Sequence, residues 1–274
     1  KVYPDFAGNI STLYAIYTRP EFPLNYFTWS WSGLPEDEHA YAAQLFATYL
    51  EENHGDAGLI YDTWMDVDGV DPIEVIDGLL TDVSMGEAHH DYAMKNATWD
   101  YIHGDTLAWW AADAESAYGT DSHRVAGTIS SADLDTWQDA DEFAPQTYGA
   151  HYWQLDTDLP ATMTAILDTG DAESWCLGLA TLGDGGHHQS VGLSDDEGRV
   201  YLLIEDVLVM DEAWLVVTAV EGSENTGEAY PYRISLEEGD QRPSDLDEGE
   251  AAAGGCACGP RCARVQGGAC TGRL

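Results

Sequence analysis

Basic residues are scarce. The chain has 274 residues and holds ten Lys and Arg against fifty Asp and Glu, with Lys1 and Lys95 the only lysines, for a formal net charge of −40. Phosphate contacts need clustered Lys and Arg, so nucleic-acid binding is excluded as a function. Long apolar runs are missing as well: nothing in the sequence approaches the ~20 consecutive residues of a membrane-spanning helix. Catalytic signatures are absent too. There is no His-Glu-x-x-His or its inverted form, no Gly-x-Ser-x-Gly elbow, and no Gly-x-Gly-x-x-Gly opening a helix after a strand. Cysteine is sparse and unevenly placed. Cys176 stands alone in an apolar run, while Cys256, Cys258, Cys262 and Cys270 crowd the end. That is not a disulfide framework spread through a core.

What is present is a folding composition. An apolar fraction of 44% and an aromatic fraction of 11% are more than disordered chains carry, and the length suits one large or two modest domains. The acidic excess reads first as adaptation to a saline, halophilic or marine habitat, where salt screens self-repulsion. A calcium-dependent surface and a surface for a basic partner are the other readings. The chain opens in mid-pattern at Lys1-Val2-Tyr3-Pro4 with no Met and no basic leader, so a preceding segment is expected.

Periodicity divides the chain. Residues 1–36 are aromatic and turn-rich, and are expected to pack as an irregular layer on the helices after them. Tyr41, Leu45, Tyr49 with Phe46 and Leu50 recur at helical spacing and predict a helix over 38–53. A second is expected over 57–65. Asp71-Pro72-Ile73-Glu74 opens a third, with Asp71 as N-cap and Pro72 in the first helical position. A fourth is expected over 87–100. Near Gly104 the helical period fades. Strands are then predicted at 150–155, 161–167, 174–182, 200–204, 213–219 and 230–236, with an edge strand at 124–129. Turn signals such as Gly183-Asp184-Gly185-Gly186 separate them. The expected fold is α+β: a helical subdomain at 1–104, a connecting segment at 105–147, an antiparallel β-sandwich at 148–238, and a disordered acidic linker with a Cys-containing tail at 239–274.

Candidate ligands are few. Asp66, Asp68 and Asp71, with Gly69 between them, place hard oxygen donors at alternate positions, as a calcium loop does; the twelfth position, a Glu in EF-hands, is Asp77 here. His89-His90 is the densest histidine pair. Neighbours on a helix point about 100° apart, so the two are expected to lie on a polar helix face rather than on one metal. Gly186-His187-His188 is expected in a solvated hairpin loop, and Cys176 as a small buried hydrophobe. Cys-x-Cys-x₃-Cys-x₇-Cys in the tail leaves disulfides, zinc, and a processing or anchoring signal open.

The order Val2-Tyr3-Pro4-Asp5, then Gln44-Leu45-Phe46-Ala47-Thr48-Tyr49-Leu50-Glu51-Glu52, Ile60-Tyr61, Trp64, Pro72-Ile73-Glu74-Val75-Ile76 and Ala97-Thr98-Trp99-Asp100-Tyr101 resembles the region just downstream of the active site in secreted, gluzincin-like zinc metalloproteases of myxobacteria and related bacteria. In those proteins a β-sandwich follows the helices. The resemblance covers roughly residues 1–105 and 145–236. It implies a zinc held by His-Glu-x-x-His and a glutamate upstream of Lys1, with the metal polarising the scissile carbonyl and activating a water. This chain would supply only the floor of the cleft, with His39 or Tyr41 as an oxyanion donor. Gly254-Gly255-Cys256-Ala257-Cys258-Gly259 resembles the cysteine motif of a myxobacterial C-terminal sorting signal, which makes Cys256 and Cys258 anchoring candidates, although the apolar helix and basic end of that signal do not follow. The resulting expectation is the C-terminal portion of a secreted or surface-attached metalloprotease-like protein: a monomer, inactive alone, with a protein or peptide substrate and zinc belonging to the parent, and with calcium as a further ligand. The alternative is a secreted or surface-attached binding or adhesion protein that uses the β-sandwich.

Overall fold

The computed structural model describes residues 19–24, 44–54, 57–66, 72–102, 104–109, 125–140, 143–169, 175–195, 198–207, 210–220, 229–244 and 246. The fold is α+β. Among the described residues four helices with defined ends come first, α1 Gln44–Asn53, α2 Ala57–Asp66, α3 Pro72–Leu79 and α4 Met85–Thr98, and residues 104–109 are helical as well. Ten strands follow: β1 Val125–Ile129, β2 Gln138–Asp139, β3 Gly149–Leu155, β4 Thr162–Asp168, β5 Trp175–Gly183, β6 Gly186–Val191, β7 Leu193–Ser194, β8 Arg199–Glu205, β9 Met210–Ala219 and β10 Arg233–Glu238. No described helix is long and apolar enough to cross a membrane.

Helix α4 starts earlier than its apolar spacing indicates, because Ser84 caps it. The Ser84 hydroxyl accepts from the Glu87 N–H at 3.2 Å, and the Glu87 carboxylate accepts from the Ser84 N–H at 2.7 Å. This reciprocal box satisfies two of the donors that a helix start leaves open. At the other end Trp99 turns left-handed, φ 57°, and Asp100 donates back to the Lys95 carbonyl.

The strands form two five-stranded sheets, with orders β1-β3-β9-β5-β6 and β2-β10-β4-β8-β7. All pairs are antiparallel except β1 with β3, which is parallel. Side chains alternate across a strand, so one set from each sheet fills the sandwich. Trp153, Leu177, Leu215 and Val217 from the first sheet meet Met163, Leu202, Ile204 and Ile234 from the second. The first sheet is the inner one, since its opposite face, through Ala150, Tyr152, Ala180, Trp214 and Val216, packs on Ala93, Met94 and Ala97 of α4. The other side of α4 joins a third core with Leu45, Phe46, Tyr49 and Leu50 of α1 and Ile73 of α3. Helix α4 is therefore sandwiched in turn, and it places the rest of the helical layer on the sheet. From the aromatic N-terminal stretch, residues 19–24 run beside 146–150, with Leu24 donating to the Tyr148 carbonyl and entering the helical core.

Two expectations are corrected. Gly186-His187-His188 is not a loop: it opens β6, and the hairpin turn is Asp184-Gly185. His89 and His90 are not on a polar face, since both are buried. The predicted edge strand at 124–129 is β1, and β1 and β2, both from the connecting segment, each lengthen a sheet.

Candidate functional site: the seam between helix α4 and the inner sheet

Small residues make the seam. Ala93 and Ala97 face Ala150 and Ala180, so the helix axis comes close to the sheet. Gly178 sets the limit of that approach: a Cβ there would stand 2.4 Å from Met94 Sδ and 2.6 Å from His90 Nε2. The imidazole of His90 thus occupies space that any side chain at position 178 would fill. Its Nδ1 lies 2.9 Å from Thr218 Oγ1 on β9, and its Nε2 has no hydrogen-bond partner among the described residues. The tautomer that satisfies most donors puts the proton on Nδ1, donating to Thr218. Tyr152 clamps the same helix by donating to the Ala93 carbonyl at 3.2 Å. Thr98, at the helix end, meets His187 Nδ1 at 3.0 Å.

Burial controls the protonation of the histidine pair. Desolvation lowers His89 to about 3, partly opposed by a backbone hydrogen bond at Tyr148. Desolvation, and then the neighbouring His89, lower His90 to about 3. Both rings are neutral at ordinary pH, since a charge buried without a partner is costly.

On the outer side of α4 a polar line runs inward from solvent. Asp82, well exposed, lies 3.3 Å from His54 Nδ1. His54 Nε2 is 2.7 Å from the Tyr49 hydroxyl, and Tyr49 donates to Asp91 Oδ2 at 2.9 Å. The phenol has one proton and gives it to Asp91, so both nitrogens of His54 face acceptors. Burial, followed by the Asp91 carboxylate, pushes the Tyr49 hydroxyl far above its ordinary value. A general acid or base must exchange its proton near the operating pH. Tyr49 does not, so the line ties α1 and the turn before α4 to the middle of α4 rather than relaying protons.

The sequence-derived candidates fall largely elsewhere. His39, Tyr41, Asp68, Asp71, Cys256 and Cys258 lie outside the described residues, and Asp66 is described only as the last residue of α2. Cys176 is buried, as a small hydrophobe would be, but it is disulfide-bonded, with its partner outside the described residues. Among the described residues no three or more His, Cys, Asp or Glu side chains gather as a metal site. The contacts of His54 with Asp82 and of His90 with Thr218 were not legible in the sequence because the partners are 28 and 128 residues away. The only local signal was a histidine directly after the end of α1.

No protein-family model matches the chain, and no curated protein matches it.

Proposed function

We propose that this chain is the downstream, non-catalytic part of a secreted or surface-attached zinc metalloprotease-like protein, a monomer in which the helices and sandwich support a catalytic segment encoded upstream. The observation that carries this reading is the helical layer. Its inner face is consumed by the sheet, and its outer parts leave Tyr61, Ile102 and Trp109 at 63%, 76% and 63% exposed. Large exposed side chains of this kind fit a surface that a further segment covers. The zinc ligands are assigned to that segment, and no chemical step is assigned to the described residues. The parent reading frame is expected to carry His-Glu-x-x-His upstream of Lys1, and casein hydrolysis by the chain alone is expected to be nil with or without chelator. A parent frame without the motif, or chelator-sensitive cleavage by this chain, overturns the reading. Calcium at Asp66, Asp68 and Asp71 belongs to the same proposal as a structural ligand.

A second reading, a binding or adhesion module, is favoured by one specific observation: a six-residue strand at the edge of the inner sheet that no other described strand pairs on its outer side.

A further inference from the structure

The end of a sheet presents a row of unpaired N–H and C=O groups, and proteins blunt such edges with short strands, bulges, charge or proline. Three of the four edges here are blunted. Strands β2 and β7 have two residues each, and β1 slips register between Val125 and Gly127. Strand β6 has no such defence. Its six residues, Gly-His-His-Gln-Ser-Val, include no Asp, Glu, Lys, Arg or proline. They pair in unbroken register with β5, from Gly178↔Val191 to Gly183↔Gly186. His187, His188, Ser190 and Val191 are exposed, and among the described residues nothing pairs with the outer side of the strand.

The direction of its backbone groups is fixed. Gly192 donates inward to the Leu177 carbonyl at 2.8 Å. In an antiparallel ladder inward and outward residues alternate, so His188 and Ser190 bond to β5 while His187, Gln189 and Val191 aim their N–H and C=O outward. Three consecutive docking positions for an added strand are thus in place. The strip holds no Asp, Glu, Lys or Arg in a chain of net charge −40. Asp184, in the exposed turn before Gly186, stands at one end of it. The field of the whole molecule draws cations and repels anions, including a second copy of the same chain.

We propose that β6 is the docking strand for an extended peptide that is uncharged at its centre and basic at its ends. The peptide backbone pairs with His187, Gln189 and Val191, and its basic ends are drawn by the acidic excess of the chain and by Asp184. This deepens the binding-module reading of the sandwich and is independent of the metalloprotease reading, whose test is the upstream motif. The experiment is a fluorescence-anisotropy titration of the full chain with a labelled peptide carrying an alternating Val/Thr centre and lysines at both ends. Two control peptides replace the lysines with glutamates or N-methylate alternate backbone amides. The protein control is Gln189→Pro, which removes an outward N–H that the sheet does not use, with its melting temperature reported alongside. Saturable binding is expected for the basic peptide, weakening as salt rises. Loss of two or three strand bonds is expected to weaken binding of the N-methylated peptide at least about tenfold, and loss of one donor in Gln189→Pro by about two- to tenfold. Equal binding of the N-methylated or acidic peptide overturns the proposal, as does an absence of saturable binding. Self-association of the chain that Gln189→Pro abolishes would assign the edge to a second copy and overturn it as well. If the variant does not fold, the N-methylated peptide decides alone.

Discussion

The sandwich interior and the helix–sheet seam both bury polar rings, but they treat them differently. In the sandwich the polar rings meet one another. Trp153 Nε1 donates to the Tyr232 hydroxyl at 2.7 Å, and that hydroxyl lies 3.2 Å from His151 Nδ1. Apolar side chains from both sheets surround it. At the seam the polar groups bridge layers instead: His90 to Thr218, Tyr152 to the Ala93 carbonyl, His187 to Thr98. One nitrogen of His90 is left without a partner among the described residues. The sandwich is held by bulk, and its stability depends on volume. The seam is held by closeness and a few neutral polar contacts, and it depends on protonation and on the exact seating of α4.

The largest expected effect tests the first half of that contrast. Leu215→Ala removes a fully buried side chain at the sandwich centre, where two sheets cannot collapse into the gap, and should cost about 2–5 kcal/mol. The equivalent change in the helical core, Leu50→Ala, should fall at the low end of that range, because short helices can shift to close the space. Urea midpoints of the two variants check this, and an equal or larger loss for Leu50→Ala would reverse the ranking of the two cores.

Acid addresses the second half. His89 and His90 are lowered to about 3 in the folded state from an ordinary 6.5. The unfolded chain therefore takes up protons that the native state refuses. Stability is intact above the ordinary value and is lost as pH falls from about 6.5 toward 3, by up to about 1.4 kcal/mol per histidine for each pH unit. Protonating carboxylates relieves the repulsion of the −40 chain and acts in the opposite direction. The measurement is therefore the difference between wild type and a His89→Gln/His90→Gln variant across that window. Parallel pH curves would remove the histidines from the account.

The smallest effect concerns the seating of the helix. Ser84→Ala breaks the capping box and should cost about 1 kcal/mol, read as a drop in melting temperature. An effect within error would mean that packing alone positions α4.

The strands were legible because most are buried and therefore marked by apolar, β-branched runs between glycine and aspartate turns. Strand β6 was not, for the reason that makes it interesting. With the outer edge open and four of its six side chains exposed, nothing imposes an apolar alternation, and Gly-His-His-Gln-Ser-Val reads as loop. Helix α4 misled in the opposite way. Met-Gly-Glu-Ala-His-His-Asp-Tyr looks like a helix with a polar face, yet layers on two sides bury His89 and His90 alike. Sequence spacing reports one face of an element at a time and cannot announce a second covering layer. The candidate site was least legible of all. Its contacts join residues as far apart as His90 and Thr218, and the glycine that admits the ring, Gly178, looks in the sequence like a weak spot in a strand.

Between β6 on the inner sheet and β7 on the outer one stands a single residue, Gly192. A Cβ there would lie 2.8 Å from Val200 Cγ1 and 3.0 Å from the Tyr201 carbonyl oxygen, so the chain crosses from sheet to sheet at its tightest. At the opposite rim the link from β1 to β2 takes eight residues, 130–137. The sandwich is bound like a book, with its tightest stitch at Gly192 and a longer one between β1 and β2.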